Sequence, residues 1–384
     1  MHDPLGGGAY AFQDDLVGPL LDNLVNDEFL SADGGSEPNR KGKAARGMPT
    51  RPIIIHAGAQ PNNSQHCGTL IVFCYAFAVA SAIRDRMQAA AAANTTSNTQ
   101  TPPPPVSVEI TLVDTAPVKS ESLTINNISY QRSHRDTPNA MAAFTSDYHE
   151  VLTHLSTWST IPFTTTLQST FFSHPSMPPL LHYTLTNHPT LARQLSPKHH
   201  TLALRAACPV AACALAEKHG KLNTYHITPS PATSSITFHC PRHGPHTLPL
   251  TQASRLEANA PTRNLLRSMT HLLDREVHHV RVTGADYAGM YQEAMLYRPL
   301  AEWAASYHKH NHNRGDNGGG VDDGGGGGGL GGGGINGRTR RTSCTRRWWW
   351  TGAGRSCPSR RMCGMVGMRG WSCLGRTGWR RTGC

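Results

Sequence analysis

Three groups of residues have the types and spacing to do chemistry. Between the run Pro52-Ile-Ile-Ile-His-Ala-Gly and a long apolar stretch lies the turn Pro61-Asn-Asn-Ser-Gln-His-Cys-Gly-Thr69. A turn that opens a helix presents free backbone N–H groups and the positive end of the helix dipole, both of which attract phosphate oxygens. Gly68 lets a ligand approach the backbone closely, and His66 can donate to a phosphoryl oxygen as charge builds on it. The same residues also suit plain helix capping, with Ser64 as the N-cap. Far downstream, Thr283-Gly-Ala-Asp286 closes another apolar run. There Gly284 permits close approach and Asp286 can accept from hydroxyl groups. Between the two lie Cys208 and Cys213, then Cys240 and His243. These C-x4-C and C-x2-H spacings are those of two knuckles of a tetrahedral Cys3His zinc site. His239 and His246 compete for the fourth position, and the alternative is cysteine as small apolar filler. Four protein ligands would leave no open coordination position, so a metal there is expected to be structural.

These groups need elements to position them. The β-branched run at 52–58 reads as a buried strand and Leu70 to Ala93 as a long helix. Val106 to Leu112, ending on Asp114, reads as a second strand. Asp136-Thr137-Pro138 is a helix start, with Met141 to Trp158 continuing at helical spacing. Ile161–Phe172 reads as a strand and its loop, and Pro178–Leu195 as a helix. After the Cys/His region at 208–246 come a helix over Arg255–Leu273, a last strand at Val277–Val282 and a helix over Tyr291–Tyr307. Strands alternating with helices predict an α/β fold with a doubly wound parallel sheet, Rossmann-like, whose ligands sit at the carboxyl ends of the strands. Residues 1–50 are expected to form a leader without fixed structure. The Ala/Asn/Thr/Pro tract 94–105 reads as a disordered insertion.

The stretch from Ile55 to Leu70 resembles the HIGH signature region of class I aminoacyl-tRNA synthetases. There a strand leads through Pro and small polar residues into His-x-Gly-His/Asn/Thr at a helix start. His66, Gly68 and Thr69 stand at the first, third and fourth motif positions. The segment around Gly284 and Asp286 is similar to the family's Gly-x-Asp segment, which contacts the adenosine ribose. With the Cys/His insertion, the pattern over about residues 52–307 is most similar to the class I lysyl-tRNA synthetase branch. The resemblance implies a HUP-type catalytic domain at 51–307 with a zinc-ribbon-like insertion at 208–246. It implies ATP and an amino acid as ligands, with tRNA as a further partner, and formation of an aminoacyl-adenylate. The residues it marks are His66 and Thr69 for catalysis, and His56, Gly58, Asn63, His66, Gly68, Gly284 and Asp286 around the nucleotide. Cys208, Cys213, Cys240 and His243 would hold zinc. Lysine would need a buried acid, for which Asp114, Asp136 and Glu293 are candidates. One departure matters: no Lys-Met-Ser-Lys-Ser loop follows the last strand, and after Asp286 the only lysine is Lys309. Losing that cationic clamp costs on the order of 10²–10³ in rate, so weak ATP binding without a complete cycle is expected. The alternatives are a non-catalytic RNA- or protein-binding homologue and a nucleotidylyltransferase acting on a small molecule.

Composition bears on the RNA alternative. The chain has 384 residues and a formal net charge of +11, which suggests a nucleic-acid partner. From Gly337 to Cys384, however, there are 12 arginines and no acid, leaving 24 basic against 25 acidic residues in the rest. The body is close to neutral, so basicity does not argue for RNA binding there. Residues 308–384 form a Gly/Arg-rich low-complexity tail, which reads as an intron or a shifted frame in place of native sequence. An RNA-binding tail is the competing reading. Five cysteines in the body, at uneven spacing, disfavour a disulfide scaffold. The longest apolar run, Leu70 to Ala80, is short of a membrane span, and the acidic N-terminal stretch is no targeting signal. A cytoplasmic protein with no membrane partner is expected.

Overall fold

The computed structural model describes residues 9–10, 16–32, 48–61, 63–93, 102–137, 139–284, 287, 290–315 and 350–353. Its centre is a parallel sheet. Strands β1 (Ile53–Ala59), β2 (Val106–Leu112), β5 (Phe163–Leu167) and β12 (His278–Gly284) lie in the order β5-β2-β1-β12. Ile53 aligns with Val106 on one side and with His278 on the other. The chain builds outward from β1 through β2 to β5, then returns to add β12 on β1's other edge. This reversal creates a crevice at the carboxyl ends of β1 and β12, where ligands of open α/β sheets bind. The α/β class and a Rossmann-compatible parallel sheet therefore agree with expectation. Two short segments, Trp350–Ala353 and Ala9–Tyr10, extend the sheet beyond β12. The first lies within the stretch read as non-native; the rest of 316–384 lies outside the described residues, as do most of 1–15, 33–47 and 94–101.

One face of the sheet is apolar. Ile53, Ile55, Ala57 and Ala59 of β1, Val106, Val108, Ile110 and Leu112 of β2, and Val280 and Val282 of β12 share a core. Onto it packs α2 (Cys67–Ala93), whose Phe73, Ala76, Phe77, Ala80, Ile83 and Met87 recur every three or four residues and make one stripe. Helix α3 (Ala142–Ser159) adds Tyr148 and Leu152. Part of the expected leader is ordered here: α1 (Val17–Ala32) buries Leu20 and Leu24 against the same core. Helix α2 is also long and apolar enough to cross a membrane by length and composition. Counting uninterrupted apolar runs missed this, because the alanines after Arg86 keep the helix apolar past its charged interruption. Its stripe is nevertheless covered by the sheet.

A second core gathers most of the remaining elements, and a small third one joins Tyr130, Leu123 and Ile128 to Cys208, Cys213 and Cys240. Hairpin β3 (Leu123–Ile125) and β4 (Ile128–Gln131) pairs with β7 (Ala216–Glu217). β6 (Leu204–Ala206) pairs with β11 (Leu256–Ala258), and β8 (Thr224–His226), β9 (Ser235–Cys240) and β10 (Gly244–Pro249) form a three-stranded antiparallel sheet. Helices α4 (Met177–Thr186), α5 (His188–Leu195), α6 (Ala260–Leu273) and α7 (Arg298–Gly315) close around them. The helix expected over 178–195 is split at Asn187, because Pro189 starts a new helix one residue later. The helix expected from Arg255 starts at Ala260 instead. Leu256–Ala258 is taken by the β6 pairing, and Pro261 suits a first turn.

Candidate functional site

Parallel sheets are normally covered by apolar side chains on both faces. The second face here is polar. Register puts Thr164 of β5, Glu109 of β2, His56 of β1 and Arg281 of β12 in one row across it. One step toward the carboxyl ends, Thr166, Thr111 and Gly58 form the next row. Helix α6 lies over this face and contributes Arg263, Asn264, Arg267 and His271, all but the last buried.

The row is held by a chain of hydrogen bonds. His56 Nδ1 lies 3.2 Å from Glu109 Oε1, His56 Nε2 lies 2.8 Å from His279 Nδ1, and His279 Nε2 lies 3.0 Å from Asp274 Oδ2. Burial keeps these rings neutral. It holds His56 below its ordinary value despite Glu109, and pushes His279 down to about 4 with help from His56. His271 is lowered by burial and by the two other rings, then by Arg267 and Arg281. Burial works against ionisation of Glu109, but its bond to His56 and the positive charges around it hold it below the usual carboxylate range. Nitrogens of His56, His271 and His279 lie within 4.8 Å of one another, which is metal-group spacing. Two features oppose a cation there. His271 and His279 stack at 4.0 Å and 11°, so their in-plane lone pairs do not converge, and the neighbouring guanidinium groups repel positive charge. His56, expected beside a nucleotide, is thus in mid-strand and engaged with Glu109 and His279.

The turn at 61–69 leads from the end of β1 to the start of α2. His66, not Ser64, is the N-cap: its carbonyl accepts from Thr69 N–H at 2.9 Å and from Leu70 N–H at 3.2 Å. The exposed ring folds over the helix end, where Nδ1 accepts from Thr69 N–H at 3.3 Å and Nε2 lies 3.4 Å from Thr69 Oγ1. Gly68 makes room for that ring, since a Cβ on Gly68 would stand 3.0 Å from His66 Cε1. A phosphate entering here would meet Thr69 N–H only after the ring swings away. Gly58 and Asn63 are exposed near this end. Gly284 ends β12 across the crevice, while Asp286 lies outside the described residues.

Cys208, Cys213, Cys240 and His243 come together, their ligand atoms all within 4.8 Å of one another. This group could hold a metal ion, and it resolves the fourth position in favour of His243 over His239 and His246. His243 Nδ1 is 3.4 Å from Cys208 Sγ and 3.6 Å from Cys240 Sγ, and Cys213 and Cys240 sulfurs are 3.7 Å apart. The first knuckle is held from behind by Arg132, whose Nε donates to Cys213 O at 2.7 Å. Burial raises the Cys208 thiol. It also works against ionisation of Cys240, but backbone N–H groups of Arg242 and His243 donating to that sulfur bring it below its ordinary value. The surrounding strands are not a free-standing ribbon, since β7 pairs with the β3-β4 hairpin and β6 with β11.

No family model matches the chain, and no curated protein matches it. Two of the acids considered for lysine, Asp114 and Asp136, have partners of their own. Buried Asp114 accepts from Ser169 N–H at 2.9 Å and from its hydroxyl, capping the turn after β5. Asp136 accepts from Ser133 Oγ at 2.8 Å. The groups that sequence reasoning missed are Glu109, His271, His279 and the arginines of α6 and β12. The alternation Val106-Ser-Val-Glu-Ile-Thr-Leu112 was the available signal, because it marks a strand with one polar face.

Proposed function

We propose that the chain is a nucleotide-binding α/β protein of the class I aminoacyl-tRNA synthetase type, taking ATP in the crevice between β1 and β12. The observation that carries this reading is the strand order β5-β2-β1-β12, with the turn bearing His66 and Gly68 following β1 at the switch point. His66 would stabilise phosphoryl charge after leaving the helix end, and Thr69 N–H would then be free for a phosphate oxygen. Gly284 gives a ribose room at the end of β12, and Asp286 would accept from its hydroxyls. The Cys3His group would hold Zn²⁺. Its donor set suits that ion, and with four protein ligands the role is structural. An amino acid would be the co-substrate and tRNA the acceptor in a full cycle. Lacking a Lys-Met-Ser-Lys-Ser loop, the chain is expected to bind ATP weakly and to release pyrophosphate slowly.

Calorimetric titration with ATP tests the site. Binding that weakens about tenfold or more in His66→Ala supports the reading, and no binding by the wild-type chain refutes it. Amino-acid-dependent exchange between ATP and pyrophosphate at an ordinary synthetase rate would overturn the expectation of an incomplete cycle.

A further inference from the structure

We propose that Arg263, with Arg281 and Asn264, forms a binding site for the oxyanion of a small molecule, a carboxylate or a phosphate. The site lies where α6 begins, over the polar face beside β12. Arg263 is only 8% exposed, its Nε is buried without a hydrogen-bond partner, and among the described residues its guanidinium forms no ion pair. The cations around it are Arg205, which opposes its charge while the phenols of Tyr287 and Tyr291 favour it, and Arg267 and Arg281, which feel its charge in turn.

Two of those neighbours have other commitments. Arg205 is bonded to Glu257, and Arg267 donates to Gln168 while lying over the Phe171 ring. Arg281 donates to Asn264 Oδ1 at 3.0 Å, which turns the Asn264 amide toward the Tyr291 hydroxyl at 3.4 Å. Tyr287 and Tyr291 pack edge to face at 4.9 Å beside the arginines. The place therefore offers guanidinium, amide and phenol donors against aromatic walls, and Glu109, the acid in the same row as Arg281, is already tied to His56. Buried charges in folded proteins are paired, and an oxyanion would satisfy Arg263 with the bidentate geometry that guanidinium favours. A lysine side chain would be repelled, so this end of the crevice suits an acidic ligand, contrary to the lysyl branch. The inference needs only the arginines and stands whether or not the turn at 61–69 takes a nucleotide.

Thermal melts of the full chain in sodium phosphate, sodium succinate and lysine hydrochloride at equal ionic strength test it. Phosphate, succinate or both should raise the melting temperature by about 3 °C; which of them does so names the anion, and lysine should not. Arg263→Met keeps the apolar stem and removes the charge. It should abolish the response and raise the melting temperature of the anion-free protein, because an uncompensated charge is gone. No response to either anion, or an equal response in Arg263→Met, overturns the proposal. So does destabilisation by Arg263→Met matched by Asp286→Asn, since Asp286 would then be the counter-ion.

Discussion

Replacing Glu257 with alanine should be among the most damaging single changes in the chain. Glu257 is 1% exposed and Arg205 3% exposed. Glu257 Oε2 accepts from Arg205 Nε at 2.7 Å across the β6-β11 pair, and Oε1 stands 3.2 Å from the Arg135 guanidinium. Arg205 also donates to Thr115 O at 2.8 Å and to Asn259 Oδ1. The pair thus ties the second core to the loops that follow β2 and β4. Removing one partner of a buried ion pair costs about 3–5 kcal/mol, because the other charge stays behind without compensation. Arg205 keeps two neutral acceptors, which puts the expected loss near the lower end, about 3 kcal/mol. Glu257→Gln keeps an acceptor and should lose about 1–2 kcal/mol. Replacing both residues with methionine should cost less than the single alanine change, since no charge is stranded. Urea unfolding followed by circular dichroism measures all three. A loss below about 1 kcal/mol for Glu257→Ala, or a double variant worse than the single one, would refute the reasoning.

Further outcomes are expected. Elemental analysis should find zinc on the wild-type chain and none on Cys240→Ser, because a weakly acidic hydroxyl replaces a sulfur readied for ionisation. Arg132→Ala, which frees the first knuckle, should weaken zinc about 10–100-fold in competition with a chromophoric chelator. His66→Ala should cost about 1 kcal/mol in chemical unfolding, the usual worth of an N-cap. With acid, stability should fall in a defined window. His279 titrates at about 4 in the fold, and His56 and His271 are likewise lowered. Unfolded histidines bind protons below about 6.5, so this contribution is fully present above that pH. It is lost as pH falls through 6.5 toward 4. His279→Gln should flatten the pH dependence of the urea midpoint over that range.

Much of the scaffold was legible. The strands at 53–59, 106–112 and 278–284 and the helix at 67–93 follow from β-branched runs, alternation and helical spacing, and the Cys3His group from ligand spacing alone. Elements set by distant partners were not legible. Leu256–Ala258 has an apolar pattern that continues smoothly into α6, and only pairing with Leu204–Ala206 makes it a strand. Helix α1 is weakly patterned, and what orders it is the apolar surface that Leu20 and Leu24 cover. His66 as N-cap was hidden because histidine seldom takes that position; here Gly68 leaves space for the ring to reach Thr69 N–H.

Net charge misled for a related reason. The chain outside the last 48 residues is nearly neutral, and neutrality argues against a nucleic-acid surface there. Yet Arg205, Arg263, Arg267 and Arg281 all point into one interior, where a charge acts more strongly than it would in water. Arg205 is matched there by the Glu257 carboxylate, while Arg263 forms no ion pair among the described residues. What decides the chemistry of the polar face is therefore the placement of a few buried charges by α6 and β12. Because α6 runs back along the sheet to reach β12, Arg263 and Asn264 are brought to Arg281, 18 and 17 residues further along the sequence. A change that shifted α6 along β12 by one turn would scatter the arginines while leaving composition and net charge untouched.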